Sequence, residues 1–327
     1  MTNFNIAVLG APGYSEGLGK KGTSTDVTFY NMKRGEATLT FIEPSRYPER
    51  LSSLFYASST ASVAIVVVDG ITPTFGETIV MLQCLNIAKG FLVLRNFISR
   101  EKVLPLIKGT VAEKYEIIDD DRNALRERLL KEAEAPRQGP DPELKGTVVV
   151  DHSFNVKGVG TVVLGTVVKG TVKAHEALRA LPGEKNAQIR SIQKHDDDFD
   201  VASEGDRVGL ALKDINVEDV ERGTVLTTEP YAVSSSLAGK AELVRYWGSP
   251  LKIGMVLHIG HWMQFISARV ESLDEAEGGN WRTPTIKLKL ESPLTYSPGD
   301  RAVLMYLEGG KLRVVGSMQI QPDSSPQ

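Results

Sequence analysis

Cysteine is almost absent. The 327-residue chain carries one, Cys84, so an intramolecular disulfide is excluded and a reducing, cytoplasmic setting is expected. Cys84 stands in an apolar, helix-like stretch and reads as a small buried hydrophobe, not a nucleophile. No Cys/His cluster has the spacing of a zinc site. Long apolar runs are lacking as well. The run around Ala64–Val68 is far short of the roughly 18 residues that mark a membrane span. The N-terminus has no basic segment ahead of a long apolar stretch, so neither a signal peptide nor a membrane partner is expected. Charge of one sign is missing too: the formal net charge is −3. No global field draws nucleic acid or anionic lipid, and any polyanion site must be a local basic patch.

What is present is ordinary for a soluble globular protein: 41% apolar and 24% charged residues, enough to bury a core in each of two or three domains. Three regimes follow one another. Up to about residue 133, apolar runs at Asn5–Leu9, Ala37–Ile42, Ser62–Val68, Phe91–Leu94 and Tyr115–Ile118 read as strands. Between and after them, Thr23–Met32, Tyr47–Ser58, Phe75–Ala88, Arg100–Lys108 and Arg122–Ala133 read as helices. Alternation of this kind predicts a parallel sheet with helices on both faces, and ligands at the carboxyl ends of its strands. The stretch 132–146, EAEAPRQGPDPELKG, is rich in Pro, Gly and charge and reads as a linker. Residues 146–227 then hold short Val- and Thr-rich runs broken by glycine, the pattern of an antiparallel barrel. AVSSSLAG at 232–239 has linker composition, and 240–321 resumes strand-like patterning as a second barrel.

The first strand runs into GAPGYSEGLGKKGTSTD, residues 10–26. Strand, glycines, lysine and Thr/Ser come in the order of a phosphate-binding loop, but the spacing is not G-x-x-x-x-G-K-[ST]. The residue five before Gly19 is Tyr14, and Lys20 is followed by Lys21. Gly13, Gly17, Gly19 and Gly22 free backbone amides, and Lys20 and Lys21 add positive charge. Thr23 and Ser24 would open a helix whose N-terminus attracts anions. The candidate phosphate or nucleotide site is thus Gly17, Gly19, Lys20, Lys21, Gly22, Thr23 and Ser24. A flexible glycine loop with solvated lysines is the alternative.

FNVKGVGTVVLGTVVKGTV, then IRSIQKH, then EGDRVGLALKDINVEDVERGTVL follow the frame F-x-I-x-G-x-G-T-V-x-x-G-x-V-x-x-G, a G-D-x-V-G turn and a V-E-R-G-x-V-L close. This resembles the second domain of the translational GTPases, the family of SelB, EF-Tu and the archaeal initiation factor gamma subunit. PLKIGMVLHIGHWMQFISARV at 250–270 is similar to their third-domain barrel. The resemblance implies an α/β Rossmann-like P-loop domain followed by two antiparallel β-barrels, with domains at 1–138, 139–231 and 232–327. It implies GTP or GDP with magnesium as ligands, aminoacyl-tRNA and the ribosome as partners.

The first domain departs from that family at four places. The phosphate loop is longer than its template. Little room is left for a first switch between Lys20 and Glu43. Where D-x-P-G-H is expected, the chain reads Glu43-Pro44-Ser45-Arg46-Tyr47. Where N-K-x-D is expected, it reads Arg95-Asn96-Phe97-Ile98-Ser99, of which Asn96 remains a nucleotide-binding candidate, and S-A-[KL] is replaced by Asp119-Asp120-Asp121. Hydrolysis needs a held magnesium, an oriented water and donors on the developing charge. The departures therefore predict a degenerate GTPase domain with weak or altered nucleotide binding and without efficient hydrolysis. No catalytic residue and no protein metal site is assigned. Asp69 and Glu77 are read as a strand-end and a helix residue.

For the aminoacyl-tRNA end the resemblance implies Asp151, His152, Phe154, Val156, Gly158 and Val162 on one edge, with Gln193, His195 and Arg207 on the other. Surface-loop histidines without a ligand are the alternative for His152 and His195. Leu164 replaces an expected threonine and Asp196 an expected arginine. Arg46, Arg50, Lys33 and Arg34 are either tRNA phosphate contacts or a solvated charged face. Trp247, Trp262 and Trp281 read as core or rim aromatics of the last barrel. The expected function is a translation-elongation-factor-like protein that binds and protects aminoacyl-tRNA in one closed arrangement. The alternatives are an active SelB-like GTPase specialised for one aminoacyl-tRNA, and a regulatory protein-binding paralogue.

Overall fold

The computed structural model describes residues 2–35, 37–134, 144–276 and 280–322. Its first layer is a seven-stranded sheet of β1 (Thr2–Leu9), β2 (Lys20–Ser24), β3 (Val27–Arg34), β4 (Ala37–Pro44), β5 (Val63–Val68), β6 (Gly90–Leu94) and β7 (Glu116–Ile118), in the order β2-β3-β4-β1-β5-β6-β7. The centre is parallel. Every residue of β5 is buried, as a strand covered on both faces requires. Helices α1 (Leu51–Ser59), α2 (Pro73–Leu85) and α3 (Arg100–Ile107) contribute to one core. Helix α4 (Arg122–Glu134) and a 3-10 turn at Tyr14–Gly17 contribute to the other.

One predicted helix is not there. Thr23–Met32 instead spans the end of β2 and most of β3, which pair antiparallel, and β3 pairs antiparallel with β4. The residues explain it. Thr23, Thr25, Val27 and Thr28 are β-branched, and the stretch is buried on alternating sides: Val27 and Phe29 in one core, Tyr30 in the other. Period two fits a strand, and β-branching favours one. Thr23 and Ser24 therefore do not open a helix.

The rest of the chain is β. Strands β8 (Thr147–Val156), β9 (Gly160–Lys169), β10 (Thr171–Lys173), β11 (Ala177–Leu181), β12 (Lys185–Lys194), β13 (Asp197–Phe199), β14 (Val201–Ser203), β15 (Arg207–Lys213) and β16 (Val225–Thr227) come first. The ring β11-β16-β8-β9-β15-β12 closes through a β11–β12 pairing. A second set follows: β17 (Ala232–Leu243), β18 (Val256–His261), β19 (Gln264–Ala276), β20 (Asn280–Tyr296), β21 (Arg301–Met305), β22 (Val314–Gln319) and β23 (Gln321–Pro322). Its ring β20-β19-β18-β21-β22-β17 closes through β20–β17. The stretch 232–239, read as a linker, is the first part of β17. Its serines are tolerated because the strand turns buried only from Leu237 onward, with alternation at Leu237, Ala241 and Leu243. Most of the other expected linker, residues 135–143, lies outside the described residues.

The three units are packed together. Val303, Met305 and Val314 of the second barrel belong to the same core as α1 and α2. Gly260 lets the Phe55 ring in: a Cβ there would lie 2.5 Å from Phe55 Cε2. Buried Glu77 accepts from Arg313 Nη2 at 2.6 Å, from the Arg313 amide at 2.8 Å and from Tyr47 Oη at 3.1 Å. The first barrel is held by Asn3 and Asn5, whose Nδ2 groups both donate to the Gly205 carbonyl at 2.8 and 3.0 Å. Among the described residues no helix is long and apolar enough to cross a membrane.

Candidate functional site

The loop after β1 is dictated by glycine. Gly10 sits at φ +95°, and a Cβ there would lie 2.1 Å from the Val67 carbonyl oxygen; the following Gly13 adopts the left-handed region. Two amides then point inward, and both are taken. Gly13 N donates to Glu43 Oε2 at 2.9 Å and Ser15 N to Glu43 Oε1 at 2.6 Å. Glu43, at the end of β4, is only 5% exposed. Its carboxylate occupies the two inward amides of the loop, where a phosphate oxygen would be expected from the resemblance.

The neighbouring loops are internally paired. Tyr14 Oη donates to Asp120 Oδ1 at 2.8 Å, and burial, then Asp120, push the phenol well above its ordinary range. Arg122 lies over the Tyr14 ring at 4.6 Å and presses on Gly17, where a Cβ would come within 2.5 Å of it. Arg95 bridges Asp69 at 3.3 Å and Asp120 at 3.2 Å. Asn96 donates to the Asp69 carbonyl at 3.0 Å, and Asn96 and Phe97 both hold positive φ. Thus Gly17 and Asn96 border this knot of side chains. Lys20, Lys21, Gly22, Thr23 and Ser24 do not: β2 carries them to the edge of the sheet.

That edge faces the first barrel. Register places His152 opposite Leu164, Phe154 opposite Val162, Leu164 opposite Gly209 and Gln193 opposite Gly209. These residues, with Val156 and Arg207 two positions along their strands, share one face. The barrel core takes the intervening set: Val163, Val208 and Leu210. Strand pairing therefore brings most of the expected set together on the outer surface. Phe154 is 41% exposed there. Gly158 stands in the β8–β9 turn at φ +83° with open space around it. His195 and Asp196 are the two positive-φ residues of the β12–β13 hairpin.

Asp151 and His152 play a different part. Asp151 lies at a β-bulge, is 3% exposed, and accepts from Arg207 Nη2 at 2.8 Å while contacting His152 Nδ1 at 2.6 Å. His152 Nε2 meets Thr25 Oγ1 at 2.9 Å and its ring packs edge-on against Phe29. Arg207 stacks on Phe29 with its guanidinium carbon 3.7 Å from the ring centroid. Both acid and imidazole are committed to the seam between sheet and barrel.

Between the two walls lies a cleft of about 560 Å³. It is lined by Lys20, Lys21, Gly22, Thr23, Asn31 and Lys33 from the hairpin and by Leu164, Gln193, His195, Asp196, Arg207 and Gly209 from the barrel. Lys33 pairs with Asp197, and Arg34 with Glu127 at 2.6 Å. Burial, then the charges of Arg207 and Lys33, lower the His195 pKa, which keeps its ring neutral near pH 7.

Three participants escaped the sequence. Glu43 enters the sequence reading only as the first residue of the segment that departs from D-x-P-G-H; a carboxylate directly after a buried strand is the available signal. Asn31 was hidden inside the supposed helix. Arg222, within V-E-R-G, fastens the seam: it donates to Asp26 Oδ2 at 2.7 Å and to the Asp151 carbonyl at 3.1 Å. Burial alone would raise the Asp26 carboxyl, but Arg222 outweighs it and holds the group at about 2.

Comparison with known proteins agrees with this architecture. Residues 160–227 match the family model of elongation factor Tu domain 2. An uncharacterized protein of Methanocaldococcus jannaschii is 33% identical over 320 residues, covering 97% of this chain and 99% of its own. The selenocysteine-specific elongation factor of the same organism is 26% identical over 326 residues, spanning 88% of this chain and 68% of that one. The crystal structure of elongation factor SelB from Methanococcus maripaludis with the GTP analogue GppNHp shares the fold at a TM-score of 0.84 and 21% identity, covering 98% of this chain and 79% of that one. By frame, fold and relatives, the chain belongs to the translational GTPase family.

Proposed function

We propose that this protein binds the aminoacyl end of charged tRNA and shields its ester from water. In this reading the GTPase domain is degenerate: guanine-nucleotide binding is weak or altered, and efficient hydrolysis is absent. Relatives named as elongation factors support the class. One observation carries the rest: the Glu43 carboxylate sits on the Gly13 and Ser15 amides, while a separate cleft between sheet and barrel stands open.

A magnesium–nucleotide pair does not fit the residues present. Glu43 is engaged by two amides and Asp69 by Arg95, so neither carboxylate is free to hold the ion. What the chain offers is shape and polarity. Phe154, Val156 and Val162 give an apolar shelf for a flat base. An ester held in the cleft beside it would be covered by the two walls, and its hydrolysis would slow as the bound fraction rises.

Deacylation of several aminoacyl-tRNAs, followed with and without the protein, tests this. At a protein concentration ten times Kd the free fraction falls to about a tenth, so deacylation should slow about tenfold, with or without GTP. Unchanged rates for every tRNA would defeat the proposal, and fast phosphate release from GTP would restore the reading of a working GTPase.

A further inference from the structure

The β18–β19 hairpin ends where the three units meet. His261 and Gln264 pair across its tip. Met263 Sδ accepts from Ser59 Oγ of α1 at 3.3 Å. On the side of the first barrel Gly223 leaves room for the tip: a Cβ there would lie 3.2 Å from the Met263 carbonyl oxygen. Trp262 meets the Tyr231 ring edge-on, with centroids 5.4 Å apart, and Tyr231 Oη lies 3.1 Å from Thr147 Oγ1 of β8. Trp262 holds φ +49°, a left-handed conformation that a bulky side chain adopts only at a cost. Something must hold it there.

His261 stands next to it. The residue is 6% exposed, and its ring lies against the Trp262 indole with centroids 4.3 Å apart. Nδ1 is 3.2 Å from the Arg301 carbonyl oxygen, and Nε2 is 3.1 Å from Asp300 Oδ2. Both partners are acceptors only. A neutral imidazole carries one N–H, so either neutral tautomer would turn a lone pair onto an oxygen. The Nε2 contact lacks hydrogen-bond alignment and therefore rests on charge. Asp300 supplies that charge. Burial would raise its carboxyl, but His261 and the Ser297 amide, which donates at 2.8 Å, outweigh it and hold the group below its ordinary range, with Lys169 of β9 adding to them. Arg301 turns its own guanidinium elsewhere, donating to Ser317 Oγ at 2.7 Å. On β18 itself burial lowers the His258 pKa, against the pull of Glu291.

We propose that His261 is a proton switch for this junction: doubly protonated, its ring pins Trp262 and the hairpin tip between Asp300 and the Arg301 carbonyl. In that state both ring nitrogens face acceptors, and the cation lies against an indole, an attractive arrangement. When one proton leaves, a lone pair faces an oxygen inside the protein and Trp262 loses its hold. The junction is tight on the acid side of this titration and loosens on the alkaline side. The switch does not depend on tRNA binding.

Nitrogen NMR of the full chain with labelled histidine reads the ring directly. The chain has five histidines, and the His261 signals are those missing from His261→Gln. Titrated from roughly pH 5 to 9, the range that spans imidazole chemistry, the ring should pass from the imidazolium pattern to a neutral one. The Trp262 indole N–H, identified by Trp262→Phe, should shift with the same midpoint. That shift should be absent from His261→Gln. Asp300→Asn keeps the shape and removes the charge, so it should move both changes together to lower pH. A ring that keeps one state throughout overturns the switch. So does an indole signal that ignores the His261 titration, or a midpoint unmoved in Asp300→Asn. If His261→Gln fails to fold, through-bond correlation assigns the ring and Asp300→Asn decides.

Discussion

At the scale of single residues, Glu43 decides most. Its two oxygens satisfy the amides of Gly13 and Ser15 inside the protein. Replacing it by alanine strands the buried Ser15 amide and the half-buried Gly13 amide and should lower stability by about 1–3 kcal/mol, read as a shift of the urea midpoint at unchanged slope. An unchanged midpoint would mean the amides find other partners. Little of this was legible in the chain. The interaction joins a loop to the end of β4, 30 and 28 positions away, and no local pattern reports which carboxylate will reach which amide. The same holds for Asp151 and His152. Sequence placed them at a pocket edge, but the bulge in β8 turns Asp151 inward to Arg207, and bulges leave only a faint mark in a Val-rich run. Phe154, Val162 and Gln193, expected together from the resemblance alone, do lie on one outer face, where strand alternation sends them.

Elements were read far better than contacts. The five apolar runs of the first layer are all strands, and the Val- and Thr-rich stretches build the barrels, because continuous burial and period two are written directly in residue order. Two readings failed, the linker at 232–239, which is strand β17, and the helix at Thr23–Met32. There a lysine–threonine junction suggested a helix start, while the β-branched residues after it specified β3. The absent helix matters to packing, since α4 and the Tyr14–Gly17 turn must cover that face of the sheet. On the opposite face α1 meets β18 with almost no spare volume. Gly260→Ala would place a methyl 2.5 Å from the Phe55 ring and 2.8 Å from Met305 Cε. We expect a cost of about 1–3 kcal/mol from overpacking, partly relieved by adding Phe55→Leu. Thermal melts of the single and double substitutions check this. Equal melting for Gly260→Ala and the native chain would show that α1 can slide away.

At the scale of the whole molecule, the α/β layer and the last barrel share a core, while the first barrel, with a core of its own, is joined by hydrogen bonds and the Arg222–Asp26 pair. Arg313 of the last barrel is the only cation bonded to Glu77 among the described residues, and Glu77 is 3% exposed. Arg313→Met leaves that carboxylate buried and uncompensated, a change that typically costs about 3–5 kcal/mol. A double-mutant cycle with Glu77→Gln should recover part of the loss, and small-angle scattering should show whether the single substitution parts α/β layer from barrel. If Arg313→Met melts like the native chain, the seam is held by apolar packing alone. Glu43 has a larger consequence for the molecule than its local bonds. A group joined to the same backbone meets its cradle at an effective concentration in the millimolar range or above. A freely diffusing phosphate would have to displace this tethered carboxylate first. On the function proposed above, nucleotide levels would then be muted at their point of entry, and the supply of charged tRNA ends would be the variable to which the protein responds.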